Sequence, residues 1–352
     1  MPTLTCPQIK DIYDRLKSET ESVYKKLVVV DSEVDLEYTE LNIKEIKKAY
    51  YILVNDIGDN ELARVCVGKI NSNIIVVYNK DSNGFWSVRD ADFEYILFHP
   101  ITGEWIKEFK DIYGCDGDGF WKVTTSDDKQ IFFHPVTKET SEEFESIFNH
   151  DKNGFWCVQM KGEDQMLYNP MTKETYKEFK HIDGCDTNGF WNVTNKNNEN
   201  ILYNPTTGQS SEVFEYISRV DKNGFWVANK NGVDQILYNP MTAERTREFT
   251  HIFEYDTNGF WHVENTIDDH ILYHPITREA SEEFNFIHDS HTNGFWLVEK
   301  KGGGMMLYHP VTKEKCDQFK TIYQGSDKNG FWEVVTMDDK RIKYNPATKE
   351  YQ

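Results

Sequence analysis

The side chains able to do chemistry recur along this chain at fixed spacing and do not gather into a catalytic motif. No GxSxG elbow, phosphate loop, HExxH or dinucleotide fingerprint is present, so no catalytic residue, cofactor or metal is expected. Turns of the form DxNG, above all Asp116-Gly117-Asp118-Gly119, share the opening of a calcium loop. They lack the later carboxylates and the bidentate Glu that complete one, and chain reversal explains them. His270 and His274 share one face of a strand, but at roughly 13 Å apart they cannot hold one ion. His99, His134, His274 and His309 each precede a proline and alternate with Asn in other units, as turn acceptors would. Six cysteines (Cys6, Cys66, Cys115, Cys157, Cys185 and Cys316) lie far apart without a CxxC pair, which predicts reduced, structural thiols.

A second set is more suggestive of recognition. Lys122, Asn192, His262 and Glu333 each follow a Phe-Trp pair at intervals of about 70 residues. Four such polar groups suit the wall or mouth of a central channel, or a row facing solvent at an edge. Trp105 stands outside the repeated motif, either available to a partner or packed against the next unit. These five are the candidate partner-binding residues.

The elements that must position them follow from one repeat. NGFW, or DGFW, recurs with its glycine at Gly84, Gly119, Gly154, Gly189, Gly224, Gly259, Gly294 and Gly330, in steps of 35 residues and a last step of 36. Each unit reads FxxI, DxNGFWxV, a polar stretch, ILYNP or ILYHP, then TxE. The DxNG segment suits a type I turn with a glycine bulge, so FxxI and FWxV are expected to pair as antiparallel strands. The ILY segment is expected to be a strand ending in a tight proline turn. Adjacent Phe and Trp point to opposite faces of a strand, which predicts sheets stacked face to face with both faces buried. A longer period of about 70 residues is superposed. Ser87, Cys157, Val227 and Leu297 follow the Trp in alternate units, and SEEF or SEVF (from Ser141, Ser211 and Ser281) alternates with YKEF, TREF and CDQF (from Tyr176, Thr246 and Cys316). Either a paired segment was duplicated or each unit has an odd number of strands.

The fold expected is therefore an all-β tandem repeat of eight units in four 70-residue pairs, closed into a β-propeller-like ring over residues 61–352. Glu61 to Tyr78 reads as degenerate strands with Ile74 and Val77 in the FxxI positions, and a strand from the start of the array could complete the last unit. Residues 1–60 form a separate segment, with helical spacing over Pro7 to Leu27 and Glu40 to Val54 joined by Val28 to Tyr38. No signal peptide or membrane span is read in the sequence, which with the cysteine usage suggests a cytoplasmic protein, or one delivered to a host cytosol.

The succession FxxI, NGFWxV, ILYNPxTxE over about residues 61–350 resembles the WG-type β repeat, without its Trp-Gly dipeptide or Pro-Pro turn. A fainter likeness, through Tyr95 to Phe109, is to quinoprotein-type propeller repeats. The WG resemblance implies an interaction module and no known reaction. A formal charge of -20 argues against direct nucleic-acid or membrane-surface binding and favours a basic or neutral protein partner. The function expected is a non-enzymatic interaction scaffold. The alternatives are a glycan-binding propeller using the many aromatics, a quinoprotein-type enzyme, and an acidic inhibitor or nucleic-acid mimic aimed at a basic protein.

Overall fold

The computed structural model describes residues 73–352 except 231 and 233, together with 67, 70, 71 and the strands Leu27–Val30 and Glu33–Leu36. These two strands pair antiparallel, so a hairpin occupies the segment expected to join two helices. The helices themselves lie outside the described residues. Val67 and Ile70 are helical and buried where degenerate strands were expected, and the first strand of the array starts at Ile74. The physical reason is spacing: Val67 and Ile70 stand three apart, one helical turn, and not two apart as on a strand face.

The repeat region is all β. Among the described residues there are five four-stranded sheets, one of three, one of seven and the two-stranded hairpin, all antiparallel between sequence neighbours. Each motif Trp opens the second strand of its module, as in Trp86–Asp90 and Trp261–Glu264. The FxxI strand pairs on one side, with Ile147 opposite Val158, and the ILY strand on the other, with Leu167 opposite Cys157. A fourth strand of two or three residues follows, or a single bridge such as Phe133 to Thr140 stands in for it. Three long strands and a short one make an even number, so an odd count does not explain the 70-residue period. The last sheet has its own first strand and lies within Thr321–Tyr351, and among the described residues no strand from the start of the array pairs with it. The chain divides into two compact units, residues 1–175 and 176–352.

The motif residues each have a separate task. In the turn, Asp116 accepts the backbone N–H of Asp118 and of Phe120 through Oδ1 at 3.0 and 2.9 Å, while the Gly119 N–H bonds its carbonyl. Gly119 has φ +90°, and a Cβ there would lie 2.2 Å from Nδ2 of Asn83 in the preceding module. Glycine is thus required for its backbone, and any side chain there would also push the Asn83 amide aside. Phe and Trp are buried in all eight motifs, as their adjacency predicts. The Phe side of one sheet packs on the Trp side of the next. In the first unit Phe85 and Leu97 meet Ile112, Trp121 and Val123; in the second, Phe225, Val227 and Leu237 meet Phe249, Ile252, Trp261 and Val263. At about 2–3 kcal/mol for each fully buried large side chain, these seams dominate the stabilisation.

A polar latch crosses the same seams. The turn Asp that holds its own backbone with Oδ1 offers Oδ2 to the Trp 40 residues ahead: Asp81 to Trp121 (2.8 Å) and Asp116 to Trp156 (3.0 Å) in the first unit. In the second unit Asp186 reaches Trp226 (3.1 Å), Asp221 reaches Trp261 (3.0 Å) and Asp256 reaches Trp296 (3.0 Å). Both oxygens of these carboxylates are spoken for, which is a structural duty and not the start of a calcium loop. One seam breaks the rule: His291 stands where Asp is expected, and the buried Nε1–H of Trp332 has no partner.

Candidate functional site

The position after each motif Trp faces the following module. In alternate units it is buried and small or apolar, as at Ser87, Cys157, Val227 and Leu297. In the others it is polar, and at Lys122 and Asn192 it clasps the backbone of the next FxxI strand. Lys122 donates to the carbonyl of Ile147, whose N–H bonds Gln130 Oε1 at 2.7 Å; Asn192 donates to the carbonyl of Ile217 at 3.3 Å and to Asp183 Oδ2 at 3.2 Å. Lys122 lies 4.7 Å over the Tyr113 ring, and burial pulls its pKa down. Glu333 pairs with Arg341 and remains partly exposed. The four polar residues are thus each held in a seam or an ion pair. Asn192 and His262 are buried, which corrects both a solvent-facing row and an open channel wall at those two positions.

His262 departs from the clasp. Its Nε2 meets Nδ1 of His270, eight residues on, at 2.8 Å. Phe253 stacks on it at 4.2 Å, and Phe286 closes edge-on over both imidazoles at 6.2 and 4.8 Å. Burial drives the His262 pKa down to about 3, with the His270 and His288 charges adding to it. Burial lowers His270 as well, against the opposing pull of Glu264 and Asp269. The two rings are therefore joined by one N–H···N hydrogen bond, in an environment that disfavours the charged form of both. Among the described residues, no group of three His, Cys, Asp or Glu is placed to hold a metal ion.

The residues flanking the FxxI isoleucine point away from the Trp face. They were not singled out by sequence, although their register to the motif would have found them. Tyr113 and Phe148 in the first unit, and Tyr216, Phe286 and Tyr323 in the second, lie on this face with exposures between 40% (Phe286) and 55% (Tyr216). In the three- and four-stranded sheets that strand is an edge. Large half-exposed rings just before or just after that isoleucine, on a packed scaffold, suit contact with a partner. Trp105, by contrast, packs within its own sheet against Phe98 at 4.7 Å, with Lys107 5.5 Å from its ring.

The remaining sequence candidates have structural roles. The His before Pro accepts a turn N–H, as His99 does from Thr102 at 3.3 Å, and sets its ring on the motif Phe, 5.0 Å from Phe85. Asn in the same place uses both ends of its amide: Asn169 accepts from Met171 at 3.0 Å and donates to the Asn153 carbonyl at 3.2 Å. Cys115, Cys157, Cys185 and Cys316 are free thiols, and burial pushes Cys115 up to about 12.

No family model matches the chain, and no curated protein matches it. Among solved structures it is similar to the dihydro-heme d1 dehydrogenase NirN in complex with DHE, at 9% identity and a TM-score of 0.30 over 80% of this chain and 72% of that one. It is also similar to the computationally designed Ika8 protein, at 10% identity and a TM-score of 0.29 over 77% of this chain and 95% of that one.

Proposed function

We propose that the chain is a non-enzymatic interaction scaffold that presents its edge-strand faces to a protein partner. The observation that carries this reading is the recurrence of half-exposed Tyr and Phe beside the FxxI isoleucines, on modules whose seams are locked by Trp burial and Asp latches. Rigid placement lowers the ordering cost of binding, and aromatic rings give most contact area per frozen torsion. Carboxylates share those strands, among them Asp111, Asp183, Glu254 and Asp289, so a basic or neutral partner complements the surface. In this reading the modules close into a propeller-like ring, as the even spacing of the motifs suggests; small-angle scattering would distinguish a ring from an extended array.

The test is affinity purification from native cells with wild-type chain and with the Tyr113→Ala, Phe148→Ala double variant. A partner retained by the first, released by added salt and lost with the second supports the reading. A partner unaffected by the double variant and by Tyr216→Ala, Tyr323→Ala removes it. Exposed rings are also what a glycan-binding surface needs, and a glycan array read with the same variants separates the two.

A further inference from the structure

Three of the eight arginines in this acidic chain meet at one place on its second unit. A cavity of 310 Å³ is lined by Arg245, Arg247 and Arg278 together with Thr246, Tyr273 and Ala280. A second, of 260 Å³, adjoins it through Arg245, Thr246 and Arg247 and adds Lys230 together with the carboxylates of Asp234 and Glu248, so the anion is placed in the first cavity, which no carboxylate lines. Arg247 is held by stacking, its guanidinium carbon 5.3 Å from the Phe249 ring centre and 5.8 Å from that of Tyr273. Among the described residues it makes no ion pair. Arg245 and Arg278 have only loose carboxylate neighbours, Glu212 at 3.7 Å and Glu244 at 3.9 Å, and Lys230 also engages Glu212.

The place is also repeated. Seventy residues earlier a cavity of 380 Å³ is lined by Lys177, Tyr203 and Ser210, the counterparts of Arg247, Tyr273 and Ala280. At this point one kind of unit carries Lys177 and Arg247, though Asp317 in its last copy, and the other carries Glu142, Glu212 and Glu282. We propose that the Arg245–Arg247–Arg278 cavity binds an oxyanion, the phosphoryl or carboxylate group of a small ligand. A planar guanidinium braced on aromatic rings presents its N–H fork with little left to order, and that fork matches two oxygens of a phosphate or carboxylate. Cavities near 300 Å³ have the size of a small-ligand site. The site does not depend on the edge-strand surface or on a protein partner.

Inorganic pyrophosphate and citrate are the probes, titrated calorimetrically into the full chain at physiological salt, with the arginine Nε–Hε resonances followed by NMR. The expected result is one saturable site for at least one probe and a shift of the Arg247 resonance. Arg247→Gln should weaken binding about tenfold and Arg247→Lys by less, while Lys152→Gln on the first unit changes nothing. Preference for pyrophosphate assigns a phosphoryl ligand, and preference for citrate a carboxylate one. Absence of saturable binding, or binding that Arg247→Gln and Arg278→Gln leave intact, overturns the proposal. If Arg247→Gln does not fold, the wild-type resonance shifts decide, since a site elsewhere would leave Arg247 unmoved.

Discussion

The seam at Trp332 offers a direct test of the latch, because nature has removed one atom of it. At five other seams an Asp carboxylate takes two turn N–H groups with Oδ1 and the Trp Nε1–H with Oδ2 at 2.8–3.1 Å. His291 reproduces only one of these three bonds. Its Nδ1 accepts the Asn293 N–H at 3.1 Å, the Phe295 N–H turns to Asn293 Oδ1 at 3.3 Å, and Trp332 Nε1 is buried with nothing to bond. His291→Asp should supply the missing acceptor. A buried donor without a partner costs about 1–3 kcal/mol, and a hydrogen bond to a charged acceptor contributes about 1.5–3 kcal/mol. Against this stands the cost of burying the new carboxylate, visible at Asp81 and Asp116, where burial raises the pKa despite the Trp and backbone donors.

The net gain expected is about 1–2 kcal/mol at neutral pH. Two compact units make a single melting temperature ambiguous, so the readout is hydrogen exchange over 321–351, compared with the same measurement over the module at Trp261. Slower exchange confined to the last module supports the reasoning, and the reciprocal Asp256→His should loosen the seam at Trp296 by a similar amount. Unchanged or faster exchange in His291→Asp would refute the latch as a stabilising contact.

Four further outcomes follow from the same geometry. Gly119→Ala should cost about 2 kcal/mol or more, measured by urea denaturation, since it strains φ +90° and drives a Cβ into Asn83. Asp116→Asn should lose about 1–2 kcal/mol, because one amide oxygen cannot serve the turn and Trp156 as two carboxylate oxygens do. The His262 pKa is depressed in the folded chain, so its contribution is complete above the unfolded value of 6.5 and is lost as pH falls from there toward about 3. Stability should fall by up to about 1.4 kcal/mol per pH unit in that window, and His262→Gln should flatten the slope in denaturation curves. Cys115 should resist alkylation at pH 8 in the folded chain and react once the chain is unfolded, as mass spectrometry would show.

How far the sequence discloses this molecule depends on whether a residue's partner is near in the chain. The turn, the FxxI and FWxV pairing and the two buried faces rest on neighbours within about ten residues, and each is legible from motif spacing. The latch was not, since Asp116 and Trp156 stand 40 residues apart and only the stacking of sheets brings them together. For the same reason Lys122, Asn192 and His262 read as surface polar groups. Their partners, Ile147, Ile217 and His270, lie across the seam or on the next strand. The exposed rings were hidden differently. Tyr113 and Phe148 stand beside a buried isoleucine, and apolar content alone does not say which of two neighbours on a strand faces outward until the register is known.

The 70-residue period then has a physical content that neither gene duplication nor strand count supplies alone. A seam must be filled on both sides, and a side chain after the motif Trp can fill it either by packing, as Leu297 does against the next module's core, or by bonding the next strand's backbone, as Lys122 and Asn192 do. The short fourth segment alternates in step. Ser141, Ser211 and Ser281 accept a strand N–H at 2.9 Å, and an acidic residue follows each; Thr246 does the same at 3.0 Å, with Arg247 after it. The acidic residues at Glu212 and Glu282 are met from the following module by cations two residues before its own equivalent position, Arg245 and Lys315. Screened surface pairs of this kind contribute little to stability. Their effect is on placement: with Glu212 and Glu244 only loosely engaged, Arg245 and Arg278 stand beside Arg247, which makes no ion pair among the described residues, in a cavity that no carboxylate lines.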